Sequence, residues 1–247
     1  MHAAASGARM IVSNLDKQRT ALLKADEASS TTPDQKKQTL VIEWSGANDL
    51  FTANVKPSKK AADEAVKARL ENIKALISKG YRNFVLPNLP DLALTPEFKK
   101  KSLSDQTNPS DVTVYFNSQL KTGVEAILKD GSEEVSVKIF DVHAIFKKVY
   151  EGLAPYTFEL TGFDKDNLTS PMTDTKGYQI NRMDHTAPGK KYMFWDHVHP
   201  SMELHALLGE ALLKDCREAF DIDFSKPGVH SDLARDLAAI IHGPQAL

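Results

Sequence analysis

Asp196 and His199 stand three residues apart in the run Phe194-Trp195-Asp196-His197-Val198-His199-Pro200, just ahead of a helical stretch. A carboxylate at that spacing can fix an imidazole in one tautomer and stabilise its protonated form, which a general base in acyl transfer requires. Far upstream, Ser45-Gly46-Ala47-Asn48-Asp49 follows an apolar, β-rich run. Asn48 therefore falls at the carboxyl end of a strand, where α/β sheets gather their chemistry. Read together, the two stretches predict an acyl hydrolase and leave its nucleophile to be found.

Other chemistry is open to the same residues. An Asp-x-x-His before a helix can be a cap beside a surface histidine. His197 and His199, two apart, would make a metal pair with His185, His205 or Asp196 as further ligands, although no compact third and fourth ligand spacing accompanies them; His197 is otherwise a supporting or solvent-facing residue. Ser6 and Ser45 are the serines nearest the motifs, and each reads most simply as a turn residue bonding locally. Trp44 and Trp195 read as core or pocket-wall aromatics. His143 reads as a satisfied histidine at a helix start, and Asp49 as a brace for the Asn48 turn.

The elements that must position these residues alternate. A helix over 10–25 leads to a polar surface loop over 29–37 that contains Pro33. The run 39–44 is a continuous apolar strand of the kind covered on both faces. A helix over 58–78, with Ala65, Leu70, Ile73, Leu76 and Ile77 on one side, stops at Gly80 and gives way to a strand over 81–86 and a Pro-bounded loop over 87–91. Residues 99–110 are polar, and their Lys99-Lys100-Lys101 cluster reads as a solvated face. A helix over 112–129 then precedes an alternating strand over 135–141, nearer the sheet edge, and a helix starting near 144.

Strand and helix in alternation mean right-handed crossovers in a parallel sheet. Residues 152–192 break the rhythm with three prolines and four glycines, and are expected to cap the site. A helix over 201–220 buries Leu204, Leu207, Leu208, Ala211 and Leu212, and a short amphipathic helix is expected over 232–241. One domain over 1–224 and a tail over 225–247 follow.

Composition limits the partners. The 247 residues are 41% hydrophobic and 26% charged, with a formal net charge of -2, so no basic field draws the chain to nucleic acid. No apolar run approaches the ~20 residues of a membrane-spanning helix, and the first residues lack the basic flank and apolar core of a secretory signal. The single Cys216 excludes an intramolecular disulfide and reads as a small buried apolar residue.

These residues resemble the SGNH or GDSL hydrolases, in particular their bacterial lipase and esterase branch. Ser45-Gly46-Ala47-Asn48-Asp49 resembles that family's Gly-x-Asn-Asp block, Asp196-His197-Val198-His199 its closing Asp-x-x-His block, and Ala5-Ser6-Gly7-Ala8 an earlier block that contributes a glycine. Leu86-Pro87-Asn88-Leu89-Pro90-Asp91, Phe116-Asn117-Ser118-Gln119-Leu120 and Phe140-Asp141-Val142 match in the same order, over nearly all of 3–222.

The resemblance implies a flavodoxin-like, three-layer α/β/α fold around a parallel sheet. It implies His199 as general base, Asp196 as its partner, and the Asn48 side chain and Gly7 backbone N–H as oxyanion donors. It also implies carboxylic ester substrates, small or lipid, no cofactor, and at most peripheral contact with a lipid surface; members are often exported. The family's first block, Gly-Asp-Ser-Leu, which supplies the nucleophile, is absent from these 247 residues. The expectation is a chain that starts after the family's first two strands, with a sheet of about three strands, an open apolar edge and no nucleophile of its own.

Overall fold

The structure, a computed structural model, describes residues 14–51, 56–130, 134–172 and 192–220. Among them the order is α1 (Leu15–Ala28), α2 (Pro33–Gln38), β1 (Leu40–Ile42), α3 (Ala47–Leu50), α4 (Lys59–Ser78), β2 (Asn83–Pro87), α5 (Pro96–Lys99), α6 (Leu103–Lys129), β3 (Ser136–Phe140), α7 (Val142–Glu151), α8 (Phe158–Thr161) and α9 (Met202–Phe220). Short 3-10 turns lie at Leu92–Leu94 and Lys165–Asn167.

Strand β2 is central, with β1 and β3 parallel on either side in the order β1-β2-β3. Its alternating side chains sort the core into two layers. Phe84 and Leu86 point into a cluster with Ala62, Val66 and Ile73 of α4 and Val112, Phe116 and Leu120 of α6. Val85 faces the other cluster, formed with Phe146 and Val149 of α7 and Leu204, Leu208 and Cys216 of α9. This is the expected α/β/α layering, and Cys216 packs as the expected small apolar residue. Gly123 lets α6 approach α4 closely, since a Cβ there would run into the Leu70 side chain.

Several elements depart from the sequence reading. The polar stretch over 29–37 contains a helix, α2: Pro33 sits in its first turn, and Thr32 and Gln35 form a reciprocal capping box. Helix α6 starts at Leu103 under a Ser102 cap and runs through Pro109, so much of the expected 99–110 loop is helical. Strand β1 is shorter than 39–44 and is not covered on both faces, because Ile42 is 48% exposed at an edge that no other described strand pairs. Trp44 (44% exposed) and Trp195 (37%) are not core residues.

Of the expected cap, 152–172 and 192 are described. Phe163 and Leu168 are buried in the α7–α9 layer, so this part begins as core packing. The remainder of the cap, the helix expected at 232–241, and Ser6, Gly7 and His185 lie outside the described residues.

Candidate active site

The Asp196–His199 turn is held by the loop that carries it. Met193 and Phe194 are buried in the α7–α9 layer, where the Phe194 ring meets Phe146 at 6.3 Å. The loop folds back on itself: Ser201 N–H donates to the Met193 carbonyl and Trp195 N–H to the His199 carbonyl, both at 2.8 Å. That closure leaves the three residues between Trp195 and His199 half-buried at the tip, with the His199 side chain exposed beside them.

Within the tip, one Asp196 oxygen accepts the backbone N–H groups of Val198 (2.8 Å) and His199 (2.7 Å). The other lies 2.7 Å from His199 Nδ1. Asp196 is thus both a turn cap and the orienting partner of the imidazole. The two sequence readings of Asp-x-x-His, cap or acid–base pair, describe the same carboxylate. Burial pushes the Asp196 carboxyl up, but the hydrogen bonds from the His199 ring and the two N–H groups outweigh it and hold the group down to about 2. The same bond raises the His199 pKa against the opposing effect of burial. With Nδ1 engaged, Nε2 is the nitrogen left for a substrate or nucleophile, and the side chain is 58% exposed.

The Asn48 turn is fixed by packing. Gly46 adopts φ +110°, and a Cβ there would sit 2.6 Å from Phe116 Cζ, so both conformation and space demand glycine. The four-residue helix α3 follows at once, and Asn48 is exposed on it. Burial raises the pKa of the neighbouring Asp49 carboxyl, and a hydrogen bond from its own backbone N–H partly offsets this. Ser45 donates its hydroxyl to Glu43 Oε1 at 2.5 Å, which makes it a local turn residue.

Helix α5 ties the two blocks together. Its Phe98 ring lies 5.6 Å from Phe51 at the end of α3, and Glu97 N–H donates to the His197 carbonyl at 2.9 Å. Lys100 Nζ sits 2.7 Å from His197 Nδ1, so the His197 ring faces an ammonium group. Among the described residues, no three His, Cys, Asp or Glu side chains are grouped as metal ligands would be.

The supporting sequence matches interlock beneath these turns. Asn88 donates to Asp141 Oδ1 (2.8 Å) and accepts His143 N–H (2.9 Å), its own N–H reaches the Phe140 carbonyl, and its carbonyl accepts Trp44 Nε1–H. Asn117 pairs with both backbone groups of Leu89. Asp91 caps the Leu92–Leu94 turn and accepts the Ser110 hydroxyl. The expectation of a satisfied His143 fails among the described residues, where its buried Nδ1 has no hydrogen-bond partner. The bond made at this helix start goes to the backbone N–H of His143, which Asn88 accepts, and not to the ring.

Sequence reading missed Arg69 altogether. It is fully buried and donates Nε to Glu43 Oε2 (2.7 Å) and Nη2 to the carbonyls of Glu43 (2.7 Å) and Pro87 (3.0 Å). Nη1 has no hydrogen-bond partner among the described residues, and burial lowers the Arg69 pKa against the pull of Glu43. The available signal was an arginine at a position on the apolar face of α4, among Ala62, Ala65, Val66 and Ile73.

A parallel three-stranded sheet between two helical layers, with a carboxylate–imidazole pair at a loop tip and a glycine-built Asn turn after β1, has the form of an α/β protein of the acyl-hydrolase type. The chain belongs to the GDSL-like Lipase/Acylhydrolase family, whose profile matches residues 2–212. It is similar to the secreted effector protein SseJ of Salmonella typhimurium, at 30% identity over 203 residues covering 78% of this chain and 42% of that protein. It also resembles the thermolabile hemolysin of Vibrio parahaemolyticus, at 25% identity over 72% of this chain and 41% of the relative. A phosphatidylcholine-sterol acyltransferase of Aeromonas hydrophila is 25% identical over 81% of this chain and 65% of the relative. The matched stretch therefore spans less than two thirds of each of these proteins.

Proposed function

We propose that the chain supplies the acid–base pair and an oxyanion donor of a serine ester hydrolase that cleaves carboxylic acyl esters through an acyl-serine intermediate, without a cofactor. The observation that carries this reading is the 2.7 Å contact between Asp196 Oδ2 and His199 Nδ1, with the other Asp196 oxygen locked by two backbone N–H groups. His199 Nε2 takes the serine hydroxyl proton as Oγ bonds to the ester carbonyl carbon, and Asp196 stabilises the resulting imidazolium. The carbonyl oxygen becomes an oxyanion received by the Asn48 amide and the Gly7 N–H. The imidazolium then protonates the departing alcohol, and water releases the acyl group by the same route. A relative named a phosphatidylcholine-sterol acyltransferase supports a lipid ester as acyl donor, with an alcohol in place of water as acceptor.

The 247 residues contain no Gly-Asp-Ser, so none of them is assigned as nucleophile. The decisive experiment compares this chain with a longer polypeptide carrying a strand and Gly-Asp-Ser ahead of Met1, using hydrolysis of a short-chain p-nitrophenyl ester. The longer form should hydrolyse the ester, and His199→Ala should abolish it. A longer form that folds, stays inactive and is indifferent to His199→Ala ends this reading.

A second reading of the same fold is a binding subunit that uses the cleft without turnover. It requires that a fluorophosphonate probe leave this chain unlabelled although folded. Stoichiometric labelling overturns it.

A further inference from the structure

We propose that the buried Glu43–Arg69 pair is a positioning device for the Asn48 turn, acting through Ser45 and Phe116; this rests on the reading of Asn48 as an oxyanion donor.

The pair reaches the turn by two routes. Through hydrogen bonds, Arg69 Nε holds Glu43 Oε2, and Glu43 Oε1 takes the hydroxyl of Ser45, the residue just before Gly46. Arg69 Nη2 fixes the carbonyls of Glu43 and Pro87, which close the ends of β1 and β2. Through packing, the Arg69 guanidinium lies 5.9 Å from the Phe116 ring centroid, and that ring fills the space a Gly46 side chain would occupy. Both the serine hydroxyl just before Gly46 and the ring packed against Gly46 thus lead back to Arg69 within two steps.

Cohesion alone does not explain this arrangement. A buried ion pair is costly to desolvate and is often replaced by apolar side chains with no loss of stability. Here the cost is raised by Nη1, which has no hydrogen-bond partner among the described residues. Apolar residues, however, cannot hold two strand-end carbonyls and a serine hydroxyl at set positions. An oxyanion donor needs that precision, because it works only if preorganised where charge develops.

The test measures amide hydrogen exchange across the chain for wild type, Ser45→Ala and Glu43→Gln, with ester hydrolysis in the Gly-Asp-Ser-extended protein as a second readout. Ser45→Ala cuts the link and leaves the buried pair intact, so folding is not at stake. Exchange over residues 44–50 should quicken about tenfold, the weight of one hydrogen bond to a charged group, while α4 and α6 keep wild-type protection. In the extended protein kcat should fall with KM unchanged. Unchanged exchange at 44–50, or a loss of protection spread evenly over the chain, overturns the proposal. So does a loosened turn with full kcat in a protein that Asn48→Ala inactivates. If the extended wild type does not hydrolyse esters at all, the hydrolase reading fails, and exchange alone decides whether the pair positions the turn.

Discussion

At the scale of single residues, the Asp196–His199 contact makes commitments about pH. Only neutral His199 can accept a proton, and its pKa is raised by the Asp196 bond, so hydrolysis by a Gly-Asp-Ser-extended form should rise with pH through a midpoint above that of an ordinary imidazole. Asp196→Asn should move the midpoint down and cut kcat on the order of 10,000-fold through loss of the correct tautomer; an unmoved midpoint would show that Asp196 does not govern the base. The pair also links pH to stability. The depressed Asp196 pKa gives a contribution that is whole above about 4 and is lost as pH falls toward 2. The raised His199 pKa gives one that is whole below the ordinary imidazole value and is lost as pH rises through the folded value. Denaturant melts of wild type and His199→Ala should therefore differ most between about pH 4 and 6.5 and converge above it. With His199 more than half exposed, solvent screening keeps the difference below about 1 kcal/mol.

Elements convert these residues into a site, and Asn88 is where they meet. It joins the ends of β2 and β3 to the first turn of α7 and receives Trp44 from beyond β1. Asn88→Ala removes two half-buried side-chain hydrogen bonds and should cost about 2–3 kcal/mol in urea melts. Gly46→Ala places a side chain at φ +110° against the Phe116 ring and should cost at least about 2 kcal/mol, with hydrolysis in the extended form falling further than stability predicts. The sequence showed the Asp196–His199 pair because its three-residue spacing is local, and it showed Gly46-x-Asn48 because a glycine after a strand is a turn signal. The Thr32-x-x-Gln35 capping box was equally local but was outweighed by Pro33, whose place in the first turn is compatible with a helix. Arg69 stayed hidden because its partners Glu43 and Pro87 lie 26 and 18 residues away, and only the folded β1–α4–β2 unit brings them together.

Over the whole molecule, the two apolar layers are unequal in reach, and β1 shows the difference. Val41 faces the α4–α6 layer and Leu40 the α7–α9 layer, yet Ile42, on the same face as Leu40, stands 48% exposed. Beside it, the outer edge of β1 offers backbone groups that no described strand pairs. An apolar edge of this kind is a template for pairing with another chain. Two copies meeting there would bury Ile42 and satisfy the unpaired groups, so the chain should associate as its concentration rises. Ile42→Lys puts a charge on the edge while touching neither core layer, and should lower the concentration-dependent association seen by light scattering with little change in melting temperature. Val41→Lys is the contrasting substitution: its side chain enters the α4–α6 layer, and it should destabilise the fold outright. Association that Ile42→Lys leaves undiminished would place the contact elsewhere and show that the β1 edge is not what joins the copies.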